Sequence, residues 1–172
     1  MNPILKTLRH FTALMLATLS LHAAAQTAPA SPATSPPPYG LSINIEQAKK
    51  AMAAAEAEAR KNGWQVVISV VGTGGYLVML QNLEAQNASI DIAVGKARTA
   101  VNFRRPTKAL EDSLAANGSA LRILAVPGAM PLQGGLPIVV DGKIVGGIGV
   151  SGVLASQDEM VAKAGIEGLL AK

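Results

Sequence analysis

Apolar positions recur along this chain with two periods, and the period changes wherever the expected elements change. Between Asn44 and Gly63, Ile45, Ala48, Met52, Ala55 and Ala59 fall three or four residues apart, as on one face of a helix. Asn44 and Gln47 are spaced for a capping box at its start, and Gly63 is placed to end it. Trp64 to Val71 is β-branched and strand-like, Gly72-Thr-Gly-Gly75 supplies a turn, and Tyr76 to Leu83 reads as the returning strand. Helical spacing resumes at Ser89 and runs until the helix stops before Pro106, now with two stripes. Ile90, Ala93, Val94, Ala97, Ala100 and Val101 form a core face, while Ile92, Lys96, Thr99 and Phe103 line up on the opposite side. A helix that only covers a core does not need the second stripe, which combines an aliphatic group, a cation, a hydroxyl and a ring. It suits an apolar ligand with anionic substituents, or a subunit interface. Arg104 and Arg105 follow directly, where the helix stops before Pro106.

Thr107 opens a short helix running to about Ala116. Residues 117–135 read mostly as loop, with a short strand expected at Leu121 to Ala125. Leu136 to Val140 and Lys143 to Val150 then flank Asp141-Gly142, a pair that suits a two-residue type I′ hairpin. Ser156 and Glu159 are spaced as the capping box of a last helix ending near Leu170. The order αββααββα implies an antiparallel sheet with helices packed on it, an α+β domain.

Composition adds a compartment. Lys6 and Arg9 precede an apolar run from Phe11 to Leu21, and Ala23-Ala24-Ala25 offers small residues for cleavage before Gln26. The run has eleven residues, short of the ~20 needed to cross a bilayer as a helix. Residues 1–25 are therefore expected to be a cleaved signal peptide and the mature protein to be periplasmic or secreted, without stable membrane insertion. Residues 26–40, rich in Pro, Ala, Ser and Thr, are expected to be a disordered or semi-extended tether, with one domain over 41–172. Loss of Lys6 and Arg9 takes the 15 basic residues to 13 against 11 acids, so the net charge falls from +4 to about +2. No basic run remains that would favour nucleic acid. His10 and His22 leave with the signal and the chain has no Cys. A Ser-His-Asp triad, a cysteine nucleophile and an ordinary zinc site are thereby excluded from the mature protein.

Several residues retain two readings. Lys96 either pairs with an acid such as Glu111 or Asp112, or meets a ligand carboxylate with Arg104 or Arg105 supplying a second charge-assisted contact. Thr99 either bonds the preceding turn or faces the ligand. Gly147-Ile-Gly149-Val-Ser-Gly152 fits the G-x-G-x-x-G spacing, but a hairpin rather than a βαβ unit precedes it, and about 20 residues on is the C-terminus. These glycines instead allow close backbone approach between strands, to a neighbouring subunit or to a ligand.

Gly134-Gly-Leu-Pro-Ile-Val-Val-Asp-Gly-Lys-Ile-Val-Gly-Gly-Ile-Gly-Val-Ser-Gly152, with Lys96-Ala-Arg-Thr-Ala100 and Phe103-Arg-Arg-Pro-Thr107, resembles the GlcG/HbpS family of haem-binding proteins over about Leu41 to the C-terminus. The resemblance implies a profilin-like antiparallel sheet of about five strands in a helix–sheet–helix sandwich. It also implies haem or another tetrapyrrole as ligand, in haem or iron handling or sensing, and a homo-oligomer. Lys96, Thr99, Phe103, Arg104 and Arg105 would then line the ligand surface, with Phe103 stacked on the macrocycle and the cations at its propionates. Haem iron usually takes His, Cys, Met or Tyr. Tyr76, standing where related sequences tend to carry His, becomes the candidate axial ligand, or else a strand aromatic that fills space. Enzyme activity is left open, at most haem-dependent degradation that needs only the haem and a reductant. The alternatives are a cofactor-free oligomeric accessory or sensor-partner module and, further off, a small-metabolite enzyme.

Overall fold

A computed structural model describes residues 35–171. The expected signal peptide, its two histidines and most of the expected tether lie outside the described residues. The chain forms α1 (Ile45–Lys61), β1 (Val67–Gly72), β2 (Leu77–Asn82), α2 (Ser89–Asn102) and α3 (Thr107–Ala115). A 3₁₀ segment (Gly118–Ala125), β3 (Gly135–Val140), β4 (Lys143–Ser151) and α4 (Ala155–Leu170) follow. The strands make one antiparallel sheet in the order β2-β1-β4-β3. The fold is α+β, with one strand fewer than the five expected. Tyr39 makes a single parallel bridge to Ile144, beside the end of β4 that β1 does not reach. Pro38 and Gly40 also exchange backbone hydrogen bonds with Ile144, so the last residues of the expected tether are part of the domain.

Alternation along the strands sorts the molecule into three layers. Ile68, Val70, Ile148 and Val150 point to one face and join Met52, Ala55, Val161 and Ala162 of α1 and α4 in the main core. Each large aliphatic side chain fully buried there contributes about 1.5–3 kcal/mol. The other face receives α2. Its contact is unusually close because β4 presents Gly147 and Gly149 to it: a Cβ on Gly147 would lie 2.6 Å from the Ala97 carbonyl, and one on Gly149 would collide with the Ala93 carbonyl. The glycines expected to admit a subunit or a ligand therefore admit the chain's own helix.

Several local expectations hold because their causes are local. Asn44 Oδ1 accepts the Gln47 N–H at 2.9 Å and Gln47 Oε1 accepts the Asn44 N–H at 3.1 Å, the expected capping box. Asp141 and Gly142 both have positive φ, 48° and 74°, as the hairpin turn requires. Others are corrected. Ile45 and Ile90, expected in core stripes, are 48% and 38% exposed, and Ala51 is buried instead on α1. The Ser156–Glu159 box does not form: the helix cap lies two residues earlier, at Leu154, and Gln157 accepts the Leu154 N–H at 3.2 Å. Leu121 to Ala125 is 3₁₀ helix rather than strand. Among the described residues no helix is long and apolar enough to cross a membrane.

Candidate functional site

The second stripe of α2 meets the chain's own interior along most of its length. Lys96 and Thr99 are 3% and 1% exposed. Lys96 Nζ donates to Asp158 Oδ2 at 2.8 Å and to the Val150 carbonyl at 2.9 Å. The partner is thus Asp158, 62 positions away, rather than Glu111 or Asp112. Glu111 accepts the Gln133 N–H at 2.8 Å, and Asp112 pairs with Lys108. Asp158 Oδ1 also accepts the Val153 N–H at 3.2 Å. Burial pushes the Asp158 carboxyl above its ordinary range, and the Lys96 contact offsets that only in part. Beside it, burial would raise Glu159 as well, but hydrogen bonds from Lys163 and Gln133 hold it below its ordinary value. Thr99 Oγ1 accepts the Met130 N–H at 2.8 Å and so pins the segment that leads into β3. Neither Lys96 nor Thr99 lines the cleft at the end of this stripe.

The end of the same stripe is different. Phe103 and Arg105 leave the C-terminus of α2 and form one wall of a cleft of about 450 Å³. Leu110 and Ser113 of α3 form a second wall. Ala120, Ile123 and Val126, three residues apart as in the eclipsed rows of a 3₁₀ helix, form the third together with Arg122. The cleft is of ordinary ligand-site size, apolar with few polar groups. Arg105 Nε donates to the Phe103 carbonyl at 3.1 Å. Neither Arg105 nor Arg122 forms an ion pair among the described residues. Two uncompensated guanidinium groups beside an aromatic and aliphatic lining can hold a planar apolar molecule that carries carboxylates.

The remaining expected site residues stand elsewhere. Arg104 takes a left-handed backbone, φ 51°, and lays its guanidinium over the Tyr39 ring, 5.8 Å from the centroid. Tyr39 Oη in turn donates to the Val101 carbonyl at 2.9 Å. Tyr76 is 81% exposed at the β1–β2 turn and does not line the cleft. Of the six residues read as a ligand surface, the fold unites only Phe103 and Arg105. It adds Arg122, which the strand expectation for its segment had hidden. The spacing of Ala120, Ile123 and Val126 was the signal available for it.

The porphyrin test divides in two. The lining fits a macrocycle and its propionates, whereas no His, Cys, Met or Tyr stands in it to ligate iron. The cleft can hold the periphery of haem but supplies no usual axial ligand.

Residues 43–167 match the family model described as "Haem degrading protein HbpS-like". The chain is 40% identical over 110 residues to Protein GlcG of Escherichia coli (strain K12), covering 63% of this chain and 81% of that protein. The structure is similar to that of a double mutant of Streptomyces reticuli HbpS, with a TM-score of 0.71 and 34% identity over 87% of this chain and 99% of that one. It is also similar to PduOC in a PduOC:heme complex, with a TM-score of 0.68 and 25% identity over 74% and 95% of the two chains. Family match, sequence identity and superposed fold agree over the same domain: this chain belongs to the GlcG/HbpS family.

Proposed function

We propose that this protein is an exported binder of haem or a related carboxylated tetrapyrrole, acting in haem or iron handling or sensing as a homo-oligomer in the periplasm or outside the cell. The observation that carries the reading is the pair Arg105 and Arg122, without acidic partners among the described residues, at an apolar cleft that includes Phe103. The haem-bound relative PduOC and the haem-degrading description of the family support it.

In this reading Phe103 stacks on the ligand, Leu110, Ile123 and Val126 exclude water from its apolar edge, and the two arginines hold its carboxylates. Any redox chemistry would be supplied by the iron itself. Lys96 and Thr99 act at one remove, fixing α4 and the Met130 segment so that the walls keep their spacing. Tyr76 serves as an axial ligand only at its own exposed surface, away from the cleft.

Haemin titration of the purified protein, followed by visible absorbance, tests this. A saturable Soret shift at about one haem per chain is expected. Arg105→Ala with Arg122→Ala should weaken it by at least tenfold, since a charge-assisted hydrogen bond contributes about 1.5–3 kcal/mol. Saturation indifferent to both arginines would move the site, and loss of binding in Tyr76→Phe alone would move it to the β1–β2 turn. Absence of a saturable shift would reject the haem reading.

A second reading has its own observation. Leu121, Leu124, Val126 and Leu132 are exposed along one connecting segment. An apolar run of this kind favours an accessory module that uses the same face for a protein contact.

A further inference from the structure

A second cleft lies at the far end of α1, built from different chemistry. It has a volume of about 380 Å³ and is walled by Arg60 and Gly63 at the helix end, Trp64 and Gln65 before β1, Asn82 at the end of β2, and Leu83 and Glu84 just after it. Trp64 is the only tryptophan in the sequence. It packs its inner side on the main core while remaining only partly buried. The walls are fixed to the fold: Trp64 N–H donates to the Ala59 carbonyl at 2.9 Å, and Leu83 N–H to the Val66 carbonyl at 2.8 Å.

Glu84 holds a left-handed backbone at φ 60°. Asn82 Oδ1 stabilises this turn by accepting the Ala85 N–H at 2.9 Å. A left-handed residue with a Cβ is strained where glycine would be free, and such strain collects at functional positions. The Glu84 carboxylate makes no ion pair among the described residues, and Glu84 lines the same cleft as Trp64. Arg60, by contrast, is already neutralised by Glu56 at 2.6 Å.

The lining is thus mixed rather than strongly charged. Asn82 Nδ2, Gln65 Nε2 and the outer guanidinium N–H groups of Arg60 are donors, while Glu84 and Gln65 Oε1 are acceptors. An anion would meet Glu84 with the Arg60 charge already taken. A simple cation would leave three sets of donors without partners. Hydroxyl groups donate and accept at once, and the C–H face of a sugar ring packs on an indole. We infer that the Trp64–Glu84 cleft is a binding site for a neutral, hydroxyl-rich ligand, a mono- or disaccharide, separate from the arginine-bearing cleft.

Trp64 reports directly on the cleft, so its fluorescence in the full-length protein is the measurement. D-glucose, N-acetyl-D-glucosamine and cellobiose serve as probes, with choline and acetate as the cationic and anionic comparisons. The expected result is a saturable emission change with at least one sugar in the millimolar range and none with choline or acetate. Glu84→Gly provides the second readout. Relief of the backbone strain should leave the urea midpoint equal or higher, while the sugar response falls at least tenfold. Saturation by choline or acetate alone would overturn the ligand class. No response to any sugar at tens of millimolar, or an unchanged sugar response in a folded Glu84→Gly variant, would overturn the site.

Discussion

Lys96 sits where α2, β4 and α4 meet, and its charge is satisfied only because Asp158 and the Val150 carbonyl converge on it. Removal of one member of a buried pair strands the other, at a cost of about 3–5 kcal/mol. Lys96→Met should therefore lower unfolding stability by that amount in urea, and Lys96→Met with Asp158→Leu should recover much of it. A single-mutant loss below about 1 kcal/mol would show that the pair is not buried in solution. Asp158 also sets a pH dependence. Its folded pKa lies above its ordinary value of 3.8, so the fold holds this proton more tightly than the unfolded chain. The resulting stability is fully present below that ordinary value and is lost as pH rises through the folded pKa. Urea midpoints of the native protein should consequently fall relative to Asp158→Asn across this acid window, and a rise would reverse the assignment. The sequence exposed Lys96 as a residue off the core face of α2, because spacing along one helix is local information. It could not select Asp158 over Glu111 or Asp112, since all three are acids and only chain folding brings one of them near.

At the scale of elements, α2 lies against a sheet from which side chains have been removed. Gly147 and Gly149 have no left-handed backbone to explain them, and their role is the space they leave for Ala93 and Ala97. Gly149→Ala should destabilise by about 1–3 kcal/mol or more through overpacking, because the collision is with helix backbone that cannot rotate away. Gly118→Ala provides the contrast. It meets nothing within 4 Å but has φ +74°, so only a strain of about 1–2 kcal/mol is expected. Equal thermal losses for both, with α2 undisturbed in hydrogen exchange, would contradict the close-packed interface. The hairpin at Asp141-Gly142 and the Asn44–Gln47 cap were legible because each arises within four residues. The segment Gly118–Ala125 was not, because a short apolar run fits strand and helix equally until its neighbours select a face. Arg122 was lost from the expected site with that misreading.

At the scale of the whole molecule, the apolar cleft with free arginines and the polar cleft around Trp64 share no lining residue. Expression in a Gram-negative host should yield a periplasmic protein whose N-terminus, read by mass spectrometry, begins near Gln26. An intact Met1 in the cytoplasm would reject export. Light scattering of that product should give a multiple of the mature chain mass, and a monomer at micromolar concentration would reject the oligomer. By itself the sequence determined the element order, the α+β class, the Asn44–Gln47 cap, the hairpin and the family, because these depend on spacing along the chain and on motifs a few residues long. Only the tertiary structure decided which chemistry faces outward. It turned Lys96 and Thr99 inward, left Tyr76 outside the cleft, and brought Phe103 and Arg105 together with Arg122 from a separate stretch. A helical face has a direction in the sequence, but what lies opposite it is fixed only when distant segments pack there.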